Sequence, residues 1–332
     1  MNIKNWFNDI YNSDKKKALP ILSFPSIQLL DVTVRELISD STLQAKGMKA
    51  VAERCDMAAA VGMMDLSVEA EAFGATAKTD DNEVPTIIGS IIKTMDDAKN
   101  LTVPNVYEKR TNLYIESIKA AKASITDRPV FAGIIGPFSL AGRLMDMTEI
   151  MVNCYIDPQM VKETLKKTTE FLIGYAQAFK KAGADGVIMA EPAAGLLSPK
   201  LIDDFSSAYV RQIVAEVKTD DFGFIYHNCG NTIPLIDSIL TIGAHAYHFG
   251  NAIDIEEMLS LVPSDTIIMG NIDPAGQFRN GTPESIYEET TKRLTKLTSH
   301  KNFVISSGCD IPPLASWDNI DSFFKAVSDF YN

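Results

Sequence analysis

The residues of this chain best equipped for chemistry are His227 and Cys229, separated by Asn228, and Cys309 far downstream. The first two lie in the string Phe224-Ile225-Tyr226-His227-Asn228-Cys229-Gly230, and the third closes Val304-Ile305-Ser306-Ser307-Gly308-Cys309. Each follows a short apolar, β-like run and sits beside a glycine. One imidazole and two thiolates suit Zn2+, and three protein ligands leave a fourth position open for a reactant. Cys309 taken alone would read as an inert core thiol; its match to His227 and Cys229 lifts it out of that class. Cys55 and Cys154 stand in apolar, helix-like surroundings and read as core residues.

Such ligands can meet only if the fold brings them together. Strands are expected at residues 20–24, 63–68, 130–135, 186–189, 223–226, 244–249, 266–269 and 302–306, with longer helical patterns between them. Asp157-Pro158 opens a helix over 158–181 that stops before Gly183, Ser198-Pro199 one over 199–217, and Thr282-Pro283 one over 283–297. In each, a capping side chain precedes a proline at the first helical position. About eight strand–helix units predict an α/β fold, a TIM (β/α)8 barrel with N-terminal helical additions, formed as a single domain over residues 1–332. The stretch 74–127 reads as mostly helical and is long for one crossover.

Barrel active sites form at the C-terminal ends of the strands, which makes the barrel a test of the ligand set. On this reading Glu191 follows the fourth strand, His227 and Cys229 the fifth, and Asn251 the sixth. Asn271 and Asp273 follow the seventh, and Cys309 the eighth. Residues distant in sequence thus converge on one rim.

Composition narrows the class. A chain of 332 residues with 46% hydrophobic side chains buries enough apolar surface to fold without a metal, so a zinc here is expected to serve catalysis. A net charge of -12 argues against nucleic acid as a partner, because such binding relies on Lys and Arg to neutralise phosphates. Lys15-Lys16-Lys17 reads as a solvated face. The N-terminal string lacks the apolar core and cleavage site of a signal peptide, and no apolar run approaches the roughly 18 residues of a membrane span. The expectation is a cytoplasmic protein without a membrane partner.

Several strings carry a resemblance. They are Gly136-Pro137-Phe138-Ser139-Leu140, Glu191-Pro192-Ala193-Ala194-Gly195-Leu196-Leu197-Ser198-Pro199, His227-Asn228-Cys229-Gly230, Gly270-Asn271-Ile272-Asp273-Pro274 and Ser307-Gly308-Cys309. Together they resemble the uroporphyrinogen decarboxylase superfamily, in particular its methylcobalamin:coenzyme M methyltransferase branch. The resemblance implies a zinc-binding TIM barrel, with zinc on His227, Cys229 and Cys309. It also implies an acidic residue at Glu191 that fills the open zinc position before substrate arrives. The methyl group would come from a corrinoid, methylcobalamin, carried by a separate corrinoid-binding protein. The acceptor would be a small thiol such as coenzyme M or homocysteine; Asn251, Asn271 and Asp273, placed on the rim by the barrel reading, are the candidates to contact it. Two departures stand out. The decarboxylase branch carries an arginine-rich segment after the first strand, whereas here Arg35 is the first arginine of the chain. Many relatives place an acid after the sixth strand, where this chain has Phe249-Gly250-Asn251.

The donor set suits thiol activation. Free thiols have a pKa of about 8.5, and zinc coordination shifts deprotonation below neutrality. Two cysteinates cancel the charge of the ion, so an added thiolate stays nucleophilic; a zinc hydrolase wants the opposite, a positive site that acidifies water. Other readings stand beside these. Glu191 could cap the following turn, Asp273 could shape its loop, and Arg143 could bind an anionic tail or make a surface ion pair. His245 and His248, three apart on a strand, point to opposite faces and read as non-catalytic. Tyr226 points away from His227, and Met63-Met64 reads as core. The competing functions are a uroporphyrinogen decarboxylase-like carbon–carbon lyase and a non-catalytic zinc- or corrinoid-binding protein.

Overall fold

The computed structural model describes residues 2–332. In chain order the strands are β1 (Ala60–Val61), β2 (Thr76–Lys78), β3 (Thr86–Ile88), β4 (Val130–Ile135), β5 (Gly186–Ala190), β6 (Gly223–Asn228), β7 (Ala246–Phe249), β8 (Ile267–Ile272) and β9 (Phe303–Ser307). Seven of them form one parallel sheet in the order β1-β4-β5-β6-β7-β8-β9, while β2 and β3 pair as a separate antiparallel ribbon. The strands of the large sheet are covered on both faces, as continuous apolar runs such as Val130-Phe131-Ala132 require.

The curled sheet closes through residues 18–22, which lie between the first and last strands. The Leu19 amide donates to the Ile305 carbonyl of β9 at 3.1 Å, and the Ala58 amide, just before β1, donates to the Ala18 carbonyl at 2.9 Å. This is the strand expected at 20–24, and it forms no regular ladder for a chemical reason. Pro20 has no N–H to offer, and the Ile21 amide donates to the Ser307 hydroxyl at 3.0 Å instead of to backbone. The architecture is therefore the expected barrel type with one irregular stave.

The strand expected at 63–68 is shorter and earlier, at Ala60–Val61. The chain leaves the sheet there because the Asp65 carboxylate accepts from the Ser67 amide and hydroxyl, which forms a turn into the helix Val68–Ala72. The ribbon of β2 and β3 occupies part of the region read as mostly helical. Of the expected helices, Pro158–Ala182 and Pro283–Leu297 form as read, capped by Asp157 and Thr282. The third is interrupted: Pro199–Ile202 passes through a π-helical turn, Asp203–Ser207, before Ala208–Val217. Among the described residues no helix is long and apolar enough to cross a membrane.

The N-terminal helix Ile3–Asn12 covers the end of the barrel where the strands begin. Phe7 stacks on His245 with ring centroids 4.9 Å apart, and Trp6 packs against Phe131 at 5.5 Å. Burying one such aromatic contributes about 2–3 kcal/mol. That end is thereby closed, and the open end is the one where the strands finish.

Candidate metal centre

His227 is the penultimate residue of β6 and Cys229 follows the strand; Cys309 stands two residues beyond β9. One potential ligand atom from each lies within 4.8 Å of the other two. The Cys309 Sγ is 3.5 Å from His227 Nε2. A close backbone approach holds this cluster. A Cβ on Gly250 would stand 2.5 Å from the Cys229 Cα, so only glycine lets the turn after β7 lie against the ligand loop.

A chain of hydrogen bonds determines which nitrogen of His227 faces the thiols. The Ser306 hydroxyl donates to the Leu19 carbonyl at 2.7 Å, so its oxygen must accept from His248 Nε2, also at 2.7 Å. His248 is fully buried, and that burial pushes its pKa well below the ordinary imidazole range, with His227 adding to the effect. A neutral ring that donates from Nε2 has a bare Nδ1, and this nitrogen lies 2.8 Å from His227 Nδ1. His227 therefore carries its proton on Nδ1, where the His248 carbonyl at 3.3 Å is a second acceptor. Its Nε2 lone pair is left pointing at the sulfurs. Metal-binding histidines are held in this way by the partner of their other nitrogen.

The two thiols are linked. A hydrogen bond from Cys309 holds the Cys229 thiol well below its usual range, and that bond together with burial pushes the Cys309 thiol up. Cys55 and Cys154 are buried elsewhere, with pKa values raised by burial to about 12 and about 11. A soft donor set of one imidazole and two sulfurs, with the imidazole tautomer already fixed, fits zinc.

The cluster forms part of the wall of a cavity of about 290 Å³ at the open end of the barrel, together with Met64, Arg143, Ala190, Pro192 and Asp310. A hollow of about 280 Å³ at the opposite end is lined by Lys16, Lys17 and Arg128. Their charges are already engaged there, by the Ile10 and Tyr11 carbonyls, by Asp56 and by Asp127.

Four expected site residues are placed elsewhere or otherwise engaged. The Glu191 carboxylate does not join the ligands. It accepts from the Phe138 and Ser139 amides at 2.8 and 2.9 Å and from the Ser206 hydroxyl at 3.0 Å. Two of these donors are unsatisfied amides at the start of the helix Pro137–Met145, which draw a carboxylate strongly. The third comes from the π-helical turn. Burial raises the Glu191 pKa, and the Ser139 and Phe138 donors oppose the rise. Asn271 uses its amide group to donate to the Gly250 and Ile253 carbonyls at 2.9 and 3.0 Å and to accept from Arg293 at 3.2 Å. Asp273 caps the turn Pro274–Arg279 through the Ala275 and Gly276 amides, both at 2.9 Å. Asn251 is exposed in the turn after β7 and packs against Gly308. These three therefore shape the loops that carry the site, and none of them lines its cavity.

His248, Arg143 and Asp310 are the site residues that sequence reasoning missed or set aside. His248 was legible only as a strand residue facing opposite to His245; in the structure His245 precedes β7 and accepts from the Phe224 amide at the closed end, so the two histidines serve different places. Tyr226 points away from His227 as expected, toward the Asn228 side chain.

The uroporphyrinogen decarboxylase (URO-D) family profile matches residues 26–330, and the chain belongs to that family. A methylcobamide:CoM methyltransferase, MtbA, of Methanosarcina acetivorans is 28% identical over 270 residues, covering 80% of this chain and 78% of the relative. The uroporphyrinogen decarboxylase of Coxiella burnetii is 27% identical over 312 residues, covering 89% and 82%. A solved methyltransferase structure from Methanosarcina mazei superposes with a TM-score of 0.87 over the full length of both chains at 21% identity, which establishes a shared fold. Overall identity thus leaves methyltransferase and decarboxylase relatives level, and the site must separate them.

Proposed function

We propose that this protein is a zinc-dependent methyltransferase that moves a methyl group from a corrinoid on a partner protein to a small thiol. The observation that carries this reading is the convergence of His227 Nε2, Cys229 and Cys309 on one cavity wall, with the imidazole held in its metal-binding tautomer. Zinc bound there would lower the pKa of an incoming thiol and hold its sulfur in place. The chain's own residues do the rest. Two cysteine sulfurs supply negative charge that keeps the acceptor sulfur electron-rich. The His248 and Ser306 relay keeps His227 oriented. The cavity walls set the line of approach. The thiol proton leaves to solvent, the sulfur lone pair attacks the methyl carbon, and the carbon–cobalt bond breaks with its electron pair remaining on cobalt.

Two observations weigh against a porphyrinogen decarboxylase. The first arginine of the chain, Arg35, is engaged at an exposed position with Asp81 at 2.7 Å. Among the described residues Arg143 is the one basic side chain on the cavity wall, whereas a porphyrinogen bearing many carboxylates calls for several. The test is metal analysis combined with methylcobalamin demethylation, followed by cobalamin absorbance across a panel of thiols. About one zinc per chain is expected, with both zinc and activity lost in Cys309→Ser. Metal-free protein that decarboxylates a porphyrinogen would overturn the proposal. Bound zinc with no methyl transfer to any thiol, even with a corrinoid protein supplied, would point to a binding protein instead.

A further inference from the structure

Arg143 presents a charge that nothing in the protein neutralises at close range. It lies on the helix Pro137–Met145, flanked by the fully buried Ala141, Leu144 and Met145, and it lines the same cavity as the metal-binding cluster. Burial lowers its pKa, although Glu69 and Asp65 act in the opposite direction. Among the described residues it takes part in no ion pair and no hydrogen bond. Asp65 is held by Arg110 at 2.6 Å and by the Tyr114 hydroxyl at 2.7 Å. Glu69 accepts from the Ile135 amide at 3.0 Å through one oxygen, and its other oxygen is buried without a hydrogen bond to Arg143 or any other group. Of the carboxylates on the cavity wall, Glu83 is at its exposed mouth and Asp310 is next to Cys309. A guanidinium partly stripped of water with none of its five donors used is costly to keep, unless a ligand supplies the missing acceptor.

We propose that Arg143 is the specificity-determining residue for the acceptor: it binds an anionic group, a sulfonate or a carboxylate, at the end of the thiol remote from its sulfur. The inference rests on the proposed thiol methylation for the identity of the other end of the molecule. The geometry supplies its two halves separately. The soft-donor cluster selects sulfur on one part of the wall, and a planar fork of N–H groups on another part matches the oxygens of an anion. A cavity of this size holds a molecule of a few heavy atoms that reaches both. Neutral thiols would meet the sulfur site and leave the guanidinium unsatisfied.

The experiment compares zinc-loaded wild type with Arg143→Met and Arg143→Lys, all checked for unchanged melting temperature. The probes are 2-mercaptoethanesulfonate, 3-mercaptopropionate, neutral 2-mercaptoethanol and thiol-free ethanesulfonate. Calorimetry gives affinities, and methylcobalamin demethylation gives KM and kcat for each thiol. In wild type the anionic thiols should bind roughly 10- to 100-fold more tightly than 2-mercaptoethanol, the range expected for a charge-assisted hydrogen-bonded pair. Arg143→Met should remove that preference through KM with little change in kcat, and Arg143→Lys should restore part of it. Preference for the sulfonate or for the carboxylate identifies the anion, and either supports the assignment. Equal losses on charged and neutral thiols, or an intact preference in Arg143→Met, would overturn it. Ethanesulfonate separates this inference from its premise. If no thiol is methylated, competition by ethanesulfonate that depends on Arg143 still upholds the anion site, whereas its absence refutes it.

Discussion

Substitutions at His248 test the hydrogen-bond relay, because two conservative changes cut it at different points. The relay requires an acceptor facing His227 Nδ1 at 2.8 Å and a donor facing the Ser306 hydroxyl at 2.7 Å. Asparagine places an amide oxygen near the position of imidazole Nδ1 and so keeps the acceptor. Glutamine places its amide N–H near Nε2 and so keeps only the donor. In His248→Gln the His227 Nδ1–H loses its nearest acceptor and retains only the more distant His248 carbonyl at 3.3 Å. His227 is then free to adopt the other tautomer, with a proton on the nitrogen that must bind the ion. Loss of such a supporting partner typically weakens metal binding by about 10- to 100-fold. Competition with a chromogenic chelator measures this directly on purified protein. The expected order of zinc affinity is wild type, then His248→Asn, then His248→Gln together with His248→Ala. Nitrogen-15 imidazole shifts of the metal-free protein should show His227 protonated at Nδ1 in wild type and a tautomer mixture in His248→Gln. Affinities equal to wild type in both His248→Gln and His248→Ala would refute the relay, as would His248→Asn falling to the level of alanine.

Two further outcomes follow from the buried acids. Glu191→Ala removes three hydrogen bonds around the start of the helix Pro137–Met145 and should cost on the order of 2–4 kcal/mol in urea unfolding, with zinc stoichiometry unchanged. Loss of zinc in this variant would instead restore Glu191 as a ligand. Burial raises the Glu69 pKa to about 7. The folded protein therefore holds this proton while the unfolded chain releases it near the ordinary value of 4.5. The stabilising effect is complete below the unfolded value and is lost as pH rises toward about 7, a change of roughly 3 kcal/mol. The stability difference between wild type and Glu69→Gln should shift against wild type over that interval, and parallel pH profiles would contradict the assignment.

The elements that depend on local chemistry were legible in the sequence. β4 and the helices starting at Pro158 and Pro283 appear where apolar runs, capping side chains and prolines placed them. The three candidate metal ligands could be singled out because their side-chain chemistry is unusual and each follows an apolar run, and the structure brings them together. What escaped depended on contacts between distant segments. Asn271 and Asp273 were expected to face substrate because they follow a barrel strand, but the amides and carbonyls of the loops claim their side chains. Glu191 was legible as functional, but nothing local announces that two helix amides and a hydroxyl from a π-helical turn surround it. His248 lies in an unremarkable strand, and its role exists only through register: β6 and β7 pair so that His227 and His248 are direct partners. Arg143 could not be assigned to surface or site until the helix Pro137–Met145 was seen to border the cavity.

The irregular stave at residues 18–22 has a consequence for biogenesis. The relay that readies His227 ends on the Leu19 carbonyl, near the beginning of the chain, and passes through Ser306, near its end. Cys309 lies three residues beyond Ser306. A nascent chain emerging from the ribosome therefore holds His227 and Cys229 long before it can present a finished site. On the proposed metal-binding reading, ion capture waits for this seam, because a chain synthesised only through β8 lacks both the third sulfur and the Ser306 hydroxyl that fixes His248. On the proposed reading, cofactor loading thus reports on closure of this seam, and a chain that has not formed it has an incomplete candidate ligand set.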